Sequence, residues 1–173
     1  MTEPMIDRRI TRRVLLRTAA SAAVLFLLYA LLPVFERPEL GSIIVFTAGA
    51  SLFIAMLAVQ LRAIASSPNP VLRAIEVLAL AVVSLIVIFA YVYVSMSTAN
   101  PAQFSEPLTR IDAIYFAATT LTTTGFGDIA AVSQGARLVV TVQMAIDLLL
   151  VAGLVRLIAE AVRLGRQRSL ASD

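Results

Sequence analysis

The residues best suited to chemistry in this chain form one short run, Thr122-Thr123-Thr124-Gly125-Phe126-Gly127-Asp128. No activated nucleophile or acid–base pair is present in it. The whole 173-residue chain lacks histidine and cysteine, which excludes imidazole catalysis, histidine-ligated or cysteine-ligated metal sites, and disulfides. What the run offers is its backbone. Glycine accepts positive φ, so glycines at alternate positions let successive peptides flip and aim several carbonyls at one axis. Carbonyls arranged in that way can replace the hydration shell of an ion. The implied chemistry is coordination of a dehydrated cation, with no bond made or broken. A second candidate is Asp147, the only acid well inside an apolar stretch, with Gln143 one helical turn before it.

Such a loop needs a rigid, dry frame, and composition says what kind. Sixty per cent of residues are hydrophobic and 14% charged, and the mean hydropathy is +0.91. Soluble domains carry roughly a quarter charged residues, so this is a membrane protein. Four stretches have little or no charge: 18–35, 40–61, 77–105 and 138–155, the last interrupted only by Asp147. Each matches a hydrocarbon core of roughly 30 Å at about 1.5 Å per helical residue. Helix satisfies its own backbone in lipid, so the expectation is four transmembrane helices. A cleaved signal peptide fits the first poorly, because its small residues precede its most apolar part. No regular arginine spacing marks a voltage-sensing helix.

All 14 basic residues are arginine. Eleven fall before the first stretch, between the second and third, or at and beyond the end of the fourth. Arg37, Arg110 and Arg137 fall on the other side, among Glu36, Glu39, Glu106, Asp112 and Asp128. The positive-inside rule then places both termini in the cytoplasm of a cell membrane. The arginine tails read as topology signals and lipid-headgroup contacts rather than nucleic-acid sites. Arginine without lysine, together with abundant alanine, points to a prokaryotic source with a GC-rich genome.

The segment 97–136 is too long for a simple turn. Thr109-Arg110-Ile111-Asp112 has capping-box spacing. Residues 111–120 then read as a mostly apolar helix too short to cross a bilayer. Short helix, hydroxyl run, alternating glycines, acid and next span make a re-entrant loop. Non-helical backbone at membrane depth is tolerated only where it lines a cavity or is buried in protein. The helix before it directs its negative end toward the cation path. One chain supplies one strand of ligands, so a closed ring needs several copies, most simply a homotetramer.

In these residues the chain resembles the bacterial potassium channels, whose selectivity filter usually reads Thr-Val-Gly-Tyr-Gly-Asp. The resemblance spans the third stretch through the fourth, about half the chain. It implies that Thr123 offers carbonyl and hydroxyl to the innermost ion site, and that Thr124, Gly125 and Phe126 line the remaining potassium sites with carbonyls. Gly127 and Asp128 would form the outer end, with Thr122 in support. Tyr115 and Phe116 would form an aromatic cuff. Two departures stand out. Thr124 replaces valine or isoleucine, so its hydroxyl points behind the filter and needs a partner. Phe126 replaces tyrosine, which removes a phenol hydrogen bond to the cuff.

The expected protein is therefore an all-α membrane channel with a re-entrant pore helix and filter loop between the third and fourth of four transmembrane helices. Segment 1–13 is a basic cytoplasmic lead, 14–61 a two-helix unit, 74–161 the pore domain and 162–173 a cytoplasmic tail. It conducts potassium passively as a homotetramer in the lipid bilayer. It is not an enzyme and needs no cofactor beyond the permeant ion, no nucleic acid and no soluble substrate. Asp147 reads either as a cavity charge or as a buried acid bonded to Gln143 or to threonines of the short helix. Gly153 is a candidate hinge or packing glycine. Arg156 and Glu160 are spaced to pair, although a solvated face fits them better, and Glu76 at the cytoplasmic end of the third stretch can pair with an arginine there. Rival readings are a non-selective cation channel, a proton-coupled transporter using Asp147, and a regulatory subunit without its own pore.

Overall fold

The computed structural model describes residues 8–34, 51, 55 and 70–170. Among these the protein is all-helical. Helix α1 spans Arg8–Leu31, α2 Pro70–Ala99, α3 Arg110–Leu121 and α4 Gln134–Leu170. The one extended pairing among them is an isolated antiparallel bridge, Phe104 to Ala131. Ile75–Ala99 and Gln134–Arg156 are long and apolar enough to cross a membrane, whereas the apolar part of α1, Leu15–Leu31, is shorter. The expectation of four spans thus meets two helices of full spanning length. The reason in α1 is its first half, which carries arginines up to Arg17. The second expected span, 40–61, lies outside the described residues except at 51 and 55.

The boundaries follow local chemistry. Pro70 opens α2, where its missing N–H costs nothing. Asn100 precedes Pro101 and is extended, which stops α2 after Ala99. A 3-10 turn over Pro101–Gln103 follows, capped by the Asn100 side chain. Thr109 and Asp112 form the expected capping box, each side chain accepting from the other's backbone N–H, and α3 begins at Arg110. The observed helix exceeds the expected 111–120 by one residue at each end. The Ser133 hydroxyl accepts from Ala136 N at 3.0 Å and starts α4.

The core lies between α2, α3 and the segment that joins them. Tyr93 of α2 packs edge-on against Phe116 of α3, centroids 5.0 Å apart, and against Phe104 at 5.7 Å. Phe104 and Phe116 complete the triangle at 5.7 Å. Edge-to-face geometry at these separations adds about 0.5–1.5 kcal/mol per pair beyond burial. Fully buried Ala90, Ala113 and Ala117 let α2 and α3 approach closely. Helix α2 is mostly covered, whereas most of α4 is open within one chain. At the arginine-rich end, buried Glu76 of α2 takes a two-pronged contact from Arg17 of α1, at 2.7 and 2.8 Å, and a further one from Arg73 at 2.6 Å.

Candidate filter loop and its supporting block

Helix α3 ends by handing its last carbonyls to the loop. Thr122 N donates to the Ala118 carbonyl and Thr123 N to that of Thr120. The Thr119 carbonyl then receives two donors, Thr124 N at 3.0 Å and Gly125 N at 3.3 Å. The loop's first N–H groups thus turn back onto the helix. Three alternate residues sit at positive φ: Thr123 at 57°, Gly125 at 52° and Gly127 at 83°. The two glycines behave as their spacing predicts. Thr123 does not follow from sequence, because positive φ in a β-branched residue is a strained outlier. Among the described residues, no hydrogen bond ends on the carbonyls of Thr123 to Gly127. The loop therefore presents backbone oxygen with its N–H groups partly tied behind it.

The flanks of the loop are braced by side chains. The Thr124 hydroxyl finds the partner it needs in the Thr122 hydroxyl, 2.9 Å away, and Thr122 also donates to the Ala118 carbonyl. The Phe126 ring stacks parallel to Tyr115, centroids 6.2 Å apart. Tyr115 donates its hydroxyl to Asp128 Oδ2 at 2.7 Å. That bond holds the Asp128 carboxyl below its ordinary value and raises the Tyr115 phenol. Residues 122–128 are exposed in the single chain, Phe126 by 69%. Only one half of the expected cuff reaches the loop. Phe116 is buried among Tyr93 and Phe104, because adjacent helical residues point about 100° apart.

The loop has a latch at its base. Ser105 N donates to the Ala130 carbonyl, and Val132 N and Ser133 N both donate to the Gln103 carbonyl. The Ser105 hydroxyl accepts from Ala130 N, and the Ser133 hydroxyl donates to Gln103 Oε1.

Behind α3 lies a polar chain that sequence reading only partly found. Gln143 is fully buried. Its Oε1 accepts from the Tyr93 hydroxyl at 2.5 Å, and its Nε2 donates to the Ala117 carbonyl at 2.9 Å and to Asp147 Oδ2 at 3.2 Å. Asp147 is 4% exposed, and its Oδ1 has no partner among the described residues. Within the single chain Asp147 is thus a buried acid bonded to Gln143. The threonines of α3 are not its partners; Thr119 and Thr120 bond the Phe116 carbonyl instead. Tyr93 and Ala117 were absent from the sequence reading, since a tyrosine in an apolar helix carries no local signal of its partner. Gly153 lies in unbroken helix, and a Cβ there would meet nothing within 4 Å. Among the described residues no close packing requires glycine there. The Glu160 side chain lies outside the described residues, so its pairing with Arg156 does too.

Among the described residues no cluster of acids, histidines or cysteines could hold a metal ion. The ligands on offer are carbonyls and hydroxyls. No curated protein and no solved structure matches the chain. Residues 81–163, which run from α2 through the loop into α4 and hold every group just described from Ala90 onward, match the family model described as an ion channel.

Proposed function

We propose that the protein is a potassium-selective channel, with Thr123 to Gly127 as its filter and α2, α3 and α4 as its pore unit. One observation carries the reading: positive φ alternates at Thr123, Gly125 and Gly127 while their carbonyls remain unbonded. Alternating conformations aim successive carbonyls along one direction, and Thr123 contributes its hydroxyl at the inner end. A potassium ion exchanges its water for these oxygens, and the next ion displaces it outward. The C-terminal end of α3, at the start of the loop, favours the cation. One chain contributes one strand of oxygens, so four copies around an axis complete the ring. The exposed loop and the open faces of α4 support that assembly. The proposed arrangement in the cell membrane has four spans, with 14–61 outside the 74–161 pore unit and 1–13 and 162–173 in the cytoplasm.

The test is potassium flux, and the bi-ionic reversal potential, of the purified chain in liposomes, beside Gly125→Ala. A Cβ at position 125 meets nothing within 4 Å, so its effect comes from φ alone, at about 1–2 kcal/mol for a left-handed L-residue. Wild type should pass potassium over sodium, and the variant should lose conduction while keeping its helix content. A wild-type reversal potential indifferent to a potassium–sodium swap would mean a non-selective channel. Flux that follows a proton gradient and survives Gly125→Ala would mean a transporter.

A further inference from the structure

An arginine in the first turn of a helix is badly placed by that helix's own field, since the free N–H groups there favour negative charge. Arg110 nonetheless opens α3. Its guanidinium serves a different helix. One nitrogen donates to the Tyr29 carbonyl and the other to the Leu32 carbonyl, at the C-terminal end of α1, where helix carbonyls lack partners and cations are favoured. The same group lies 5.5 Å from the Tyr29 ring centroid, within cation–π range. The contact is returned: the Tyr29 hydroxyl donates to the Arg110 carbonyl at 2.8 Å. Tyr91 of α2 donates to the Pro33 carbonyl just beyond. Tyr29 is 2% exposed, so this is a closed joint. At its other end α1 is fastened to α2 through Arg17 and Glu76.

We propose that α1 and Arg110 form a brace that positions α3, and through α3 the loop 123–127, so that ion selection depends on a helix that makes no hydrogen bond to the loop among the described residues. This rests on the channel reading above and names the residue that positions its filter. The lever is short and rigid. Arg110 sits at the start of α3, and Thr119, whose carbonyl holds Thr124 N and Gly125 N, lies near its end. The two are separated by about 14 Å of helix. Pivoting about the hold at Ala117, about 3 Å of helix from Thr119, a tilt of about 10° set at the joint moves Thr119 by about 0.5 Å. Binding constellations need their ligands held to within about 0.5 Å. The middle of α3 is held by Gln143 at Ala117 and the aromatic triangle, which makes that region the fulcrum. The joint at Arg110 fixes the angle.

The experiment compares full-length wild type, Arg110→Gln and Arg110→Lys in liposomes. It reads the potassium-to-sodium permeability ratio from the reversal potential, and the amide exchange of 110–121. Arg110→Gln should lower the ratio at least about threefold and speed exchange in the first turns of α3 about tenfold, with subunit number by cross-linking unchanged. Arg110→Lys keeps the charge but reaches one carbonyl in place of two, and should recover part of the ratio. Conduction by Arg110→Gln at an unchanged ratio overturns the proposal. If Arg110→Gln does not fold, Tyr29→Phe keeps the ring and removes one bond; it should move the ratio in the same direction, and an unchanged ratio there overturns the proposal equally. If wild type itself passes no ions, the channel reading fails first. Exchange then decides the brace alone, and wild-type rates in Arg110→Gln would sink it.

Discussion

The two sides of α3 are built on opposite terms. On one side lies the loop 122–128, exposed, with three residues at positive φ and five carbonyls without partners. On the other lies a sealed block in which Tyr93, Gln143 and Ala117 satisfy one another inside a ring of Phe104 and Phe116. Buried polar groups are costly unless paired, and among the described residues the block follows that rule except at Asp147 Oδ1. The loop breaks it. A strained backbone with free oxygens is stable only when the neighbouring structure holds it and something else supplies its partners. The contrast teaches that the chain finishes its support within itself and leaves the oxygens of the loop open.

The largest expected effect is on the block. Gln143→Ala strips partners from Tyr93, Ala117 and Asp147 at once, and each orphaned group costs about 1–3 kcal/mol. The melting temperature in detergent should fall by at least about 5 °C, with conduction lost alongside. A melt within a degree of wild type would mean that the block does not carry α3. Next comes Thr123→Gly, which tests the loop by relieving it. Glycine takes φ of 57° without strain, so stability should hold or rise by about 1 kcal/mol, while potassium selectivity falls with the lost hydroxyl. A strong loss of stability would show that Thr123 is not strained.

A smaller effect is expected at Asp128. The Tyr115 hydroxyl lowers its carboxyl below the ordinary 3.8. A lowered folded-state value adds stability that is full above the ordinary value and drains away as pH falls through the lowered one. In Tyr115→Phe the Asp128 carboxyl should therefore titrate higher than in wild type by carbon NMR, and the variant should lose less stability in acid. An unmoved titration would leave the Tyr115 contact without weight. The smallest effect is expected for Asp147→Asn. Asparagine keeps an oxygen for Gln143 and takes the charge out of a buried place, so single-channel conductance should be unchanged. A clear fall would return Asp147 to the ion path.

Much of this was readable from local spacing. The capping box at Thr109 and Asp112 fixed the start of α3 to within a residue, because a cap is a four-residue interaction. Gly125 and Gly127 announced their own φ. The need of Thr124 for a partner was legible too, and the partner lay two residues away. What could not be read was set by contacts distant in sequence. Arg110 looked like an external charge, yet its carbonyl partners are 78 and 81 residues earlier. Tyr93 and Gln143 are 50 apart. The split of Tyr115 toward the loop and Phe116 toward the core is a matter of helix rotation, which packing sets. The shortness of the apolar part of α1 was hidden by the same arginines that indicated its orientation.

The bridge from Phe104 to Ala131 has a mechanical consequence. Everything between those residues, α3 and the loop included, leaves the helices and returns to them at one pinned point. Loop-closure entropy for that segment is met at the pin, so the segment is in effect a cassette clipped between α2 and α4. Force along the chain from either helix reaches the cassette through the clip, beside the cross-links that Gln143 makes at Ala117 and Arg110 makes to α1. Stretching or sliding the long helices loads the clip and these cross-links together, and the cassette rides with them as a unit.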